Sequence, residues 1–192
     1  MFPRLHVVTD SLDVVRGAVG HGPVAIQVRE KKSDRAAYEL TVAALDVCRR
    51  AGDAICLVDD RVGVALAAGA DGVHVGAEDL PVAAVRRVLG PSAIVGATCR
   101  TPEAAEQAVR DGASYLGSGP AFATTSKAGL PDPIGPEGIA RVAAAVPGTP
   151  VIAIGGITPQ RVPLLRAYGV AAISAVAGDP AGVTIAFLKA LA

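Results

Sequence analysis

Eight short runs rich in β-branched residues recur along this chain, and a segment with helical periodicity follows each of them. The runs lie at 5–9, 24–28, 54–58, 72–75, 93–98, 115–119, 151–156 and 171–176. Most of them are continuously apolar rather than alternating, which is typical of parallel strands that are covered on both faces. The chain has 192 residues, so each strand and helix unit has about 24 residues, close to the minimum for such a repeat.

Helix start and stop signals agree with this alternation. The segment 34–52 has an apolar face and a basic last turn before Gly52, and the segment 101–112 begins with Thr101 and Pro102 and ends at glycine. A threonine before a helix and a glycine after it satisfy the unpaired backbone groups at the two ends. Both segments are therefore predicted to be helices.

Two architectures accommodate eight strand and helix units: an open doubly wound sheet and a closed (β/α)8 barrel. Polar residues follow nearly every strand of this chain, whereas an open sheet concentrates such residues at one switch point. The sequence therefore predicts an α/β fold of the (β/α)8 TIM barrel type. It also predicts a single compact domain over residues 1–192.

Charge and composition exclude several classes of protein. Lys plus Arg and Asp plus Glu number 18 each, so there is no broad basic field to attract nucleic acid or an anionic membrane. Every apolar run is broken well short of a membrane span, and the N-terminus does not read as a signal peptide. The three cysteines lack metal-ligand spacing, which fits a reducing, cytoplasmic location. The oligomeric state stays open, and a homo-oligomer is compatible with the sequence.

In a (β/α)8 barrel the chemistry lies where the strands end. Gln27, Arg29 and Lys31 alternate at the end of the second run, so an extended backbone sends them to one face, where they suit a phosphate or diphosphate. Asp60 and Asp79 follow the next two runs and are suited to hold Mg²⁺ together with phosphate oxygens. For each motif alone, ordinary salt bridges and helix-start residues remain an alternative.

A loop rich in glycine and hydroxyl groups, GSGPAFATTSKAG at 117–129, follows the sixth run. Its composition is typical of a phosphate cradle, although it lacks the spacing of a P-loop and surface linkers share that composition. Gly155 and Gly156 precede a helix predicted to start near Thr158 and Pro159, an arrangement by which barrels bind a phosphomonoester. We therefore expect one diphosphate and metal site and one phosphate site on the same face.

In their order, and over essentially the whole chain, these motifs resemble those of thiamine phosphate synthases, whose superfamily also contains thiazole tautomerases. The motifs are QVREK, DDR followed by VGVALAAGADGVHVGAEDLP, GP.F.TTSK and AIGGIT. The resemblance implies a transferase of thiamine biosynthesis that joins 4-amino-2-methyl-5-hydroxymethylpyrimidine diphosphate to thiazole phosphate, giving thiamine phosphate and diphosphate. Its partners would be these small phosphorylated substrates.

The resemblance also implies roles for individual residues. Arg29, Lys31 and Lys127 would act in catalysis, and Asp60 and Asp79 would hold the cofactor Mg²⁺. The substrate-binding residues that it implies are Gln27, Val28, Arg29, Glu30, Lys31, Asp59, Thr98, Thr124, Thr125, Ser126, Lys127, Gly156, Val176 and Ala177. The last two come from ungapped counting after Gly169, where a shortened loop leaves the register open.

Several departures from the family pattern keep two alternatives open. Asp59 replaces an asparagine, Ala77 replaces a glutamine, and Thr, Cys and Arg at 98–100 stand where the family has Ser-x-His. An added carboxylate at position 59 would repel a diphosphate unless it is protonated, paired with a cation or recruited to the metal. The alternatives are a thiazole tautomerase, which needs neither the diphosphate nor the metal groups, and a degenerate barrel that binds ligands without turnover. Retention of the cations and of the metal-binding carboxylates favours the synthase.

The implied reaction requires no strong base and no nucleophilic side chain, because cations and Mg²⁺ stabilise the leaving diphosphate. His74 lies within an apolar run and is interpreted as a core residue. The acid-base histidine of the tautomerases is replaced here by Cys99 or Arg100. The loop at 119–133 is expected to become ordered over bound substrate.

Overall fold

The computed structural model describes residues 2–126 and 129–192 of the protein. The strands in these ranges are β1 (Leu5–Thr9), β2 (Val24–Val28), β3 (Ala54–Asp59), β4 (Gly72–Val75), β5 (Ile94–Thr98), β6 (Tyr115–Ser118), β7 (Val151–Ile154) and β8 (Gly169–Ala172). Each strand pairs in parallel with the next along the chain, and β8 pairs back with β1, so the sheet closes. The predicted (β/α)8 barrel is confirmed.

The α-helices of the described residues are α1 (Leu12–Ala18), α2 (Asp34–Ala51), α3 (Val62–Ala68), α4 (Val82–Leu89), α5 (Pro102–Arg110), α6 (Gly135–Ala145) and α7 (Pro180–Leu191). The Ser33 side chain accepts a hydrogen bond from the Ala36 amide at 3.1 Å at the start of α2, and Gly52 ends this helix with φ 77°. Thr101 caps α5 through the Ala104 amide at 3.3 Å. Within this part of the chain, no helix combines the length and the apolar character that crossing a bilayer requires.

The core has two parts, because successive residues of a strand point to opposite sides of the sheet. Val7 and Ile26 point outward and pack under the helices. Val8, Leu57 and Tyr115 pack together inside the barrel. All five side chains are at most 2% exposed. Burial of apolar surface on both sides of the sheet holds the strand ends, and hence the loops that follow them, in fixed positions.

The seventh strand and helix unit differs from the first six in the kind of helix that follows the strand. A helix begins at Pro159, close to the predicted start, but it is a 3₁₀ helix, Pro159–Leu164, rather than an α-helix. Pro163 lies inside this segment and has no N–H group to donate to the preceding turn, which disfavours a longer α-helix. The chain therefore returns to the barrel after only six helical residues.

The last strand lies earlier in the sequence than predicted. A strand is predicted at 171–176, but β8 covers Gly169–Ala172, and a second 3₁₀ helix, Ser174–Val176, follows it. A Cβ atom at Gly169 would lie 2.1 Å from the Arg4 carbonyl oxygen. The close approach of the chain beside β1 therefore requires glycine at the start of β8, which sets the register of the strand.

Candidate functional site

A cavity of about 200 Å³ opens where the strands end, on the face that carries the active site in (β/α)8 barrels. Among the described residues, ten of those predicted from the sequence line it: Gln27, Arg29, Lys31, Asp59, Asp60, Asp79, Thr98, Thr124, Ser126 and Gly156. These side chains and the glycine come from the ends of six different strands and from the loops that follow. The fold thus brings cations, carboxylates and hydroxyl groups to one surface.

Val28, Glu30 and Thr125 do not line the cavity. Val28 lies between Gln27 and Arg29 on the chain, so it points to the opposite side of the sheet and packs in the outer core. The Glu30 carboxylate accepts a hydrogen bond at 2.7 Å from the backbone amide two residues further on. Thr125 is exposed. The predicted substrate contacts of these three residues therefore stay predictions.

Val176 and Ala177 do not reach the cavity, because β8 ends earlier than predicted. Val176 is fully buried at the end of the second 3₁₀ helix. Residues 173–175 form the cavity wall at this position instead. The structure thus brings residues 173–175 to the cavity, and the predicted substrate contacts of Val176 and Ala177 stay predictions. Lys127 lies outside the described residues, so its role stays a prediction.

Asp59, the last residue of β3, is the centre of one polar wall of the cavity. Its Oδ1 atom accepts a hydrogen bond from Gln27 Nε2 at 2.7 Å, and its Oδ2 atom accepts one from Lys31 Nζ at 2.9 Å. Arg29 Nε lies 3.3 Å from the same Oδ2 atom. The Asp59 side chain is 16% exposed, so these charge-assisted contacts are largely removed from water. Asp59 is therefore paired with two cations.

Lys31 bridges two neighbouring carboxylates, because its ammonium group also binds Asp60 Oδ2. Burial alone would lower the pKa of Lys31. Hydrogen bonds to Asp60 and Asp59 outweigh burial, so the pKa of Lys31 lies above its ordinary value. Lys31 therefore keeps its positive charge throughout the neutral pH range.

Asp60 has a left-handed backbone conformation, with φ 52°. Aspartate and asparagine adopt this conformation more readily than other residues with a side chain. The Asp60 amide donates a hydrogen bond to the His74 carbonyl oxygen at 2.8 Å, which continues the pairing of β3 with β4 beyond the end of β3. The turn leaves the Asp60 carboxylate on the cavity wall.

Asp60 and Asp79 supply two carboxylates that suit a metal ion. Asp79 Oδ2 accepts a hydrogen bond from the Gly76 amide at 2.7 Å, which holds the loop after β4. Over residues 2–126 and 129–192, no group of three or more His, Cys, Asp or Glu side chains is arranged around a metal position. Two carboxylates fit Mg²⁺, which usually completes its coordination with substrate phosphates and water.

His74 is interpreted from the sequence as a core residue, but in the structure it lines the cavity. Its Nδ1 atom lies 3.0 Å from the Tyr115 hydroxyl, and its Nε2 atom lies 2.9 Å from the Thr98 hydroxyl. Two glycines make room for this chain of hydrogen bonds. A Cβ atom at Gly96 would lie 2.2 Å from the Tyr115 ring, and one at Gly117 would lie 2.8 Å from the His74 ring.

The direction of these hydrogen bonds follows from burial. Tyr115 is 1% exposed, and burial raises the pKa of its phenol, so the hydroxyl stays protonated. Burial also lowers the pKa of His74, so its ring is neutral and carries one N–H group. The buried phenol needs an acceptor, which His74 Nδ1 provides, and the N–H group is then at Nε2. Nε2 donates to Thr98, whose own hydroxyl hydrogen can point into the cavity.

His6, on β1, lies beside this chain of hydrogen bonds, with its ring centroid 4.9 Å from that of Tyr115. Burial is the main cause that lowers the pKa of His6 to about 3, and the repulsion that would arise if His74 were also protonated adds to it. The His6 Nε2 atom is buried without a hydrogen-bond partner among the described residues. His6 is therefore neutral at physiological pH.

A second group of polar atoms comes from the loops after β6 and β7 and from the end of β8. The Thr124 hydroxyl donates to Ser126 Oγ at 3.1 Å, and the hydroxyls of Ser126 and Ser174 lie 3.1 Å apart. Gly155 and Gly156 have φ values of 99° and 63°. A Cβ atom at Gly156 would lie 2.5 Å from a backbone oxygen of the loop after β6, so the close approach of the two loops requires glycine.

Arg161 connects these two loops from outside the cavity. Its guanidinium group donates to the Gly156 carbonyl oxygen at 2.5 Å. The same group lies over the ring of Phe122, 4.6 Å from the ring centroid. The peptide between Gly156 and Ile157 is thus held in one orientation beside the cavity.

Cys99 and Arg100, which replace the acid-base histidine of the tautomerases, do not line the cavity. Cys99 is 3% exposed, its Sγ atom faces a backbone oxygen of α5 at 3.5 Å, and burial raises the pKa of its thiol to about 11. Arg100 donates to the carbonyl oxygens of Gly119 at 3.1 Å and Asp132 at 2.5 Å. Arg100 therefore holds the two ends of the loop after β6.

Sequence reasoning missed His6, His74, Tyr115 and Ser174 as cavity residues. The alternation of side chains along β1 would have predicted His6 inside the barrel. His6 shares a face of the strand with Val8 and not with the outward-pointing Val7. No local sequence pattern predicts Ser174 as a cavity residue, because its position depends on where β8 ends.

Comparisons with known proteins agree with this geometry. The model of the thiamine monophosphate synthase family matches residues 3–178. The thiamine-phosphate synthases of Salinispora arenicola and Salinispora tropica are 53% and 52% identical to this chain, and each alignment covers 98% of this chain and 97% of the other. The structure of thiamine phosphate pyrophosphorylase from Pyrococcus furiosus matches with a TM-score of 0.88 at 37% identity, covering 98% of this chain and 95% of that one.

Proposed function

We propose that this chain, which belongs to the thiamine monophosphate synthase family, joins 4-amino-2-methyl-5-hydroxymethylpyrimidine diphosphate to thiazole phosphate and releases diphosphate. The protein is thus a transferase of thiamine biosynthesis. One observation carries the proposal: Arg29 and Lys31 line the same cavity as the carboxylates of Asp60 and Asp79. Such a lining suits a diphosphate that binds together with a divalent cation.

Gln27, Arg29 and Lys31 would hold the diphosphate. In the reaction, the bond between the pyrimidine methylene carbon and the diphosphate oxygen breaks, and its electron pair leaves with the diphosphate. The two cations stabilise the charge that accumulates there. The thiazole nitrogen then forms the new bond to the same carbon, so neither step requires a proton transfer. This agrees with the neutral His74 and the protonated Tyr115, which would position Thr98 rather than act as acid or base.

Asp60 and Asp79 would hold Mg²⁺ next to the diphosphate. When bound, the ion would supply charge neutralisation and so make the diphosphate a better leaving group. Asp60 would exchange its contact with Lys31 for the ion. The ammonium group of Lys31 would then be available to a phosphate oxygen.

Thr124, Ser126 and Gly156 would bind the phosphate of the thiazole substrate, and Thr125 and Lys127 are proposed to assist them. Hydroxyl groups and backbone amides at glycine turns are typical phosphate ligands. Ser174 joins this group because its hydroxyl lies 3.1 Å from that of Ser126. The contact of Arg161 with the Gly156 carbonyl oxygen would hold the amide that follows it in the orientation needed for the phosphate.

The positions of Cys99 and Arg100 disfavour a thiazole tautomerase. That reaction requires a group that accepts and returns a proton at the substrate. The Cys99 thiol is buried against α5 and stays protonated because its pKa is raised, and Arg100 is engaged with the loop after β6. A barrel that binds both substrates without turnover remains the alternative for an experiment to exclude.

The deciding experiment measures diphosphate release and thiamine phosphate formation by the purified protein with both substrates. We expect turnover in Mg²⁺ and a loss of at least about a hundredfold in EDTA and in Asp60→Asn, because charge neutralisation of the leaving group is removed. Asp46→Asn, on the exposed side of α2, is the matched control and should retain full activity. Binding of both substrates by folded protein without product would identify a binding module instead.

A further inference from the structure

A single carboxylate holds all three side chains that the proposed function assigns to the diphosphate. Asp59 accepts hydrogen bonds from Gln27 at 2.7 Å and Lys31 at 2.9 Å, and lies 3.3 Å from Arg29 Nε. Carboxylate and phosphoryl oxygens attract the same donors. Asp59 therefore binds the same hydrogen-bond donors that an incoming diphosphate would use. The inference that follows rests on the proposed function, since it takes these three side chains as the diphosphate ligands.

The balance of charge in the cavity points the same way. The charged side chains that line it among the described residues are Arg29, Lys31, Asp59, Asp60 and Asp79, which sum to one negative charge. A diphosphate adds several more negative charges to this wall. Asp59 contacts both cations and Asp60 contacts Lys31, so these two carboxylates together balance the positive charge of Arg29 and Lys31 before a ligand binds. An anion without a divalent cation therefore gains little by entering.

We infer that Asp59 competes with the diphosphate for Gln27, Arg29 and Lys31. This competition makes diphosphate binding depend on a divalent cation. Asp59 weakens the attraction of Arg29 and Lys31 for the diphosphate, and the divalent cation replaces that attraction. The competition also promotes release of the product diphosphate, since the Asp59 carboxylate takes the three side chains back. Asp59 is thus a positioning residue whose charge sets the affinity for the leaving group.

The test is calorimetric titration of inorganic diphosphate in EDTA into the wild-type protein, Asp59→Asn and Asp10→Asn. Asparagine keeps the shape of each side chain and removes one negative charge. Removing a charge that contacts both cations should tighten binding by Asp59→Asn at least about tenfold. Asp10→Asn is the matched control, because Asp10 follows β1 on the same face of the barrel but is exposed and does not line the cavity. Its effect should stay below about threefold.

Equal or weaker binding by Asp59→Asn would overturn the inference and would mean that Asp59 orients the three side chains for the ligand. An equal gain in Asp10→Asn would also overturn it, because any lost negative charge would then suffice. Asp59→Ser, a second neutral variant, should tighten binding in the same direction. Damage to the fold cannot imitate the expected result, since damage weakens binding.

A second titration, in Mg²⁺, separates this inference from the proposed function. If the wild-type protein and Asp59→Asn both fail to bind magnesium diphosphate, the proposed function is contradicted and the inference falls with it. If both bind magnesium diphosphate but have equal affinity in EDTA, the inference alone is wrong. The expected result is a large difference between the two proteins in EDTA and a smaller one in Mg²⁺.

Discussion

The hydroxyl groups of Ser126 and Ser174 lie 3.1 Å apart, although 48 residues separate them in the sequence. The contact joins the loop after β6 to the first residue of the 3₁₀ helix that follows β8. The two loops meet because the barrel closes β8 against both β7 and β1. A pair of hydroxyls at the meeting point of two loops is well placed to bind one phosphate group.

Ser174→Ala should weaken binding of thiazole phosphate. Loss of one hydrogen bond to the phosphate, and of the contact that holds Ser126, should raise KM for thiazole phosphate about three- to tenfold while kcat changes little. Steady-state kinetics with the pyrimidine diphosphate at saturation measure both constants. Ser92→Ala, at an exposed position, is the control. An unchanged KM would remove Ser174 from the phosphate site.

Lys31→Met should reduce kcat/KM by about 10²–10³-fold, because the charge that stabilises the leaving diphosphate is lost. The adjacent residue provides the control: the Lys32 side chain is 85% exposed, and Lys32→Met should retain full activity. Initial rates of diphosphate release measure the effect. Similar losses in the two variants would show that the general positive charge of this segment matters, and not the contact with Asp59 and Asp60.

Tyr115→Phe should lower kcat/KM about three- to tenfold, the effect of losing one hydrogen bond. Without the phenol, the neutral His74 ring can carry its hydrogen at Nδ1, and Thr98 then donates to His74 instead of to the substrate. Steady-state kinetics measure the loss, and a melting curve confirms the fold. Tyr38→Phe, at a half-exposed position on α2, should leave kcat/KM unchanged. Full activity of Tyr115→Phe would contradict the proposed direction of the hydrogen bonds.

Stability should fall as the pH is lowered, in part because of His6. Burial lowers the pKa of His6 from near 6.5 to about 3, so the folded protein favours the neutral ring. The unfolded chain takes up the proton first, so the contribution of His6 is fully present above about pH 6.5 and is lost between pH 6.5 and 3. The free energy of unfolding should fall by up to about 1.4 kcal/mol per pH unit in this window.

Urea denaturation at a series of pH values measures this slope. His6→Phe keeps a ring against Phe2 and Tyr115 and should flatten the pH dependence. His21→Gln, at an exposed position, should keep the wild-type slope. A slope that His6→Phe leaves unchanged would assign the acid sensitivity to other groups.

Much of the barrel was predictable because apolar runs bounded by glycine, proline and charged residues mark buried strands. β1, β2 and β4 begin and end at the predicted residues. The same alternation placed Gln27, Arg29 and Lys31 on one face, and the structure has all three on the cavity wall. These features are local, so the sequence alone contains the information for them.

The inner layer of the cavity was not predictable, because it depends on how strands pair. His74 is interpreted as a core residue from its own run, and the space for it and for Tyr115 comes from Gly96 and Gly117 on the following strands. The end of β8 likewise depends on the approach of Gly169 to the chain beside β1. Register and close approach between strands are set by tertiary contacts, which a pattern within one segment does not contain.

The left-handed backbone of Asp60 also limits how this position can change during evolution. Most side chains would be strained at φ 52°, at a cost of roughly 1–2 kcal/mol, whereas asparagine and glycine fit the turn. Both of those replacements lack the charge that would bind a metal ion. A lineage that no longer needs catalysis can therefore lose Asp60 in one step and keep the barrel intact. Given the proposed role of Asp60 as a metal ligand, asparagine or glycine at this position in a related sequence is expected in a protein that has kept the fold after giving up the reaction.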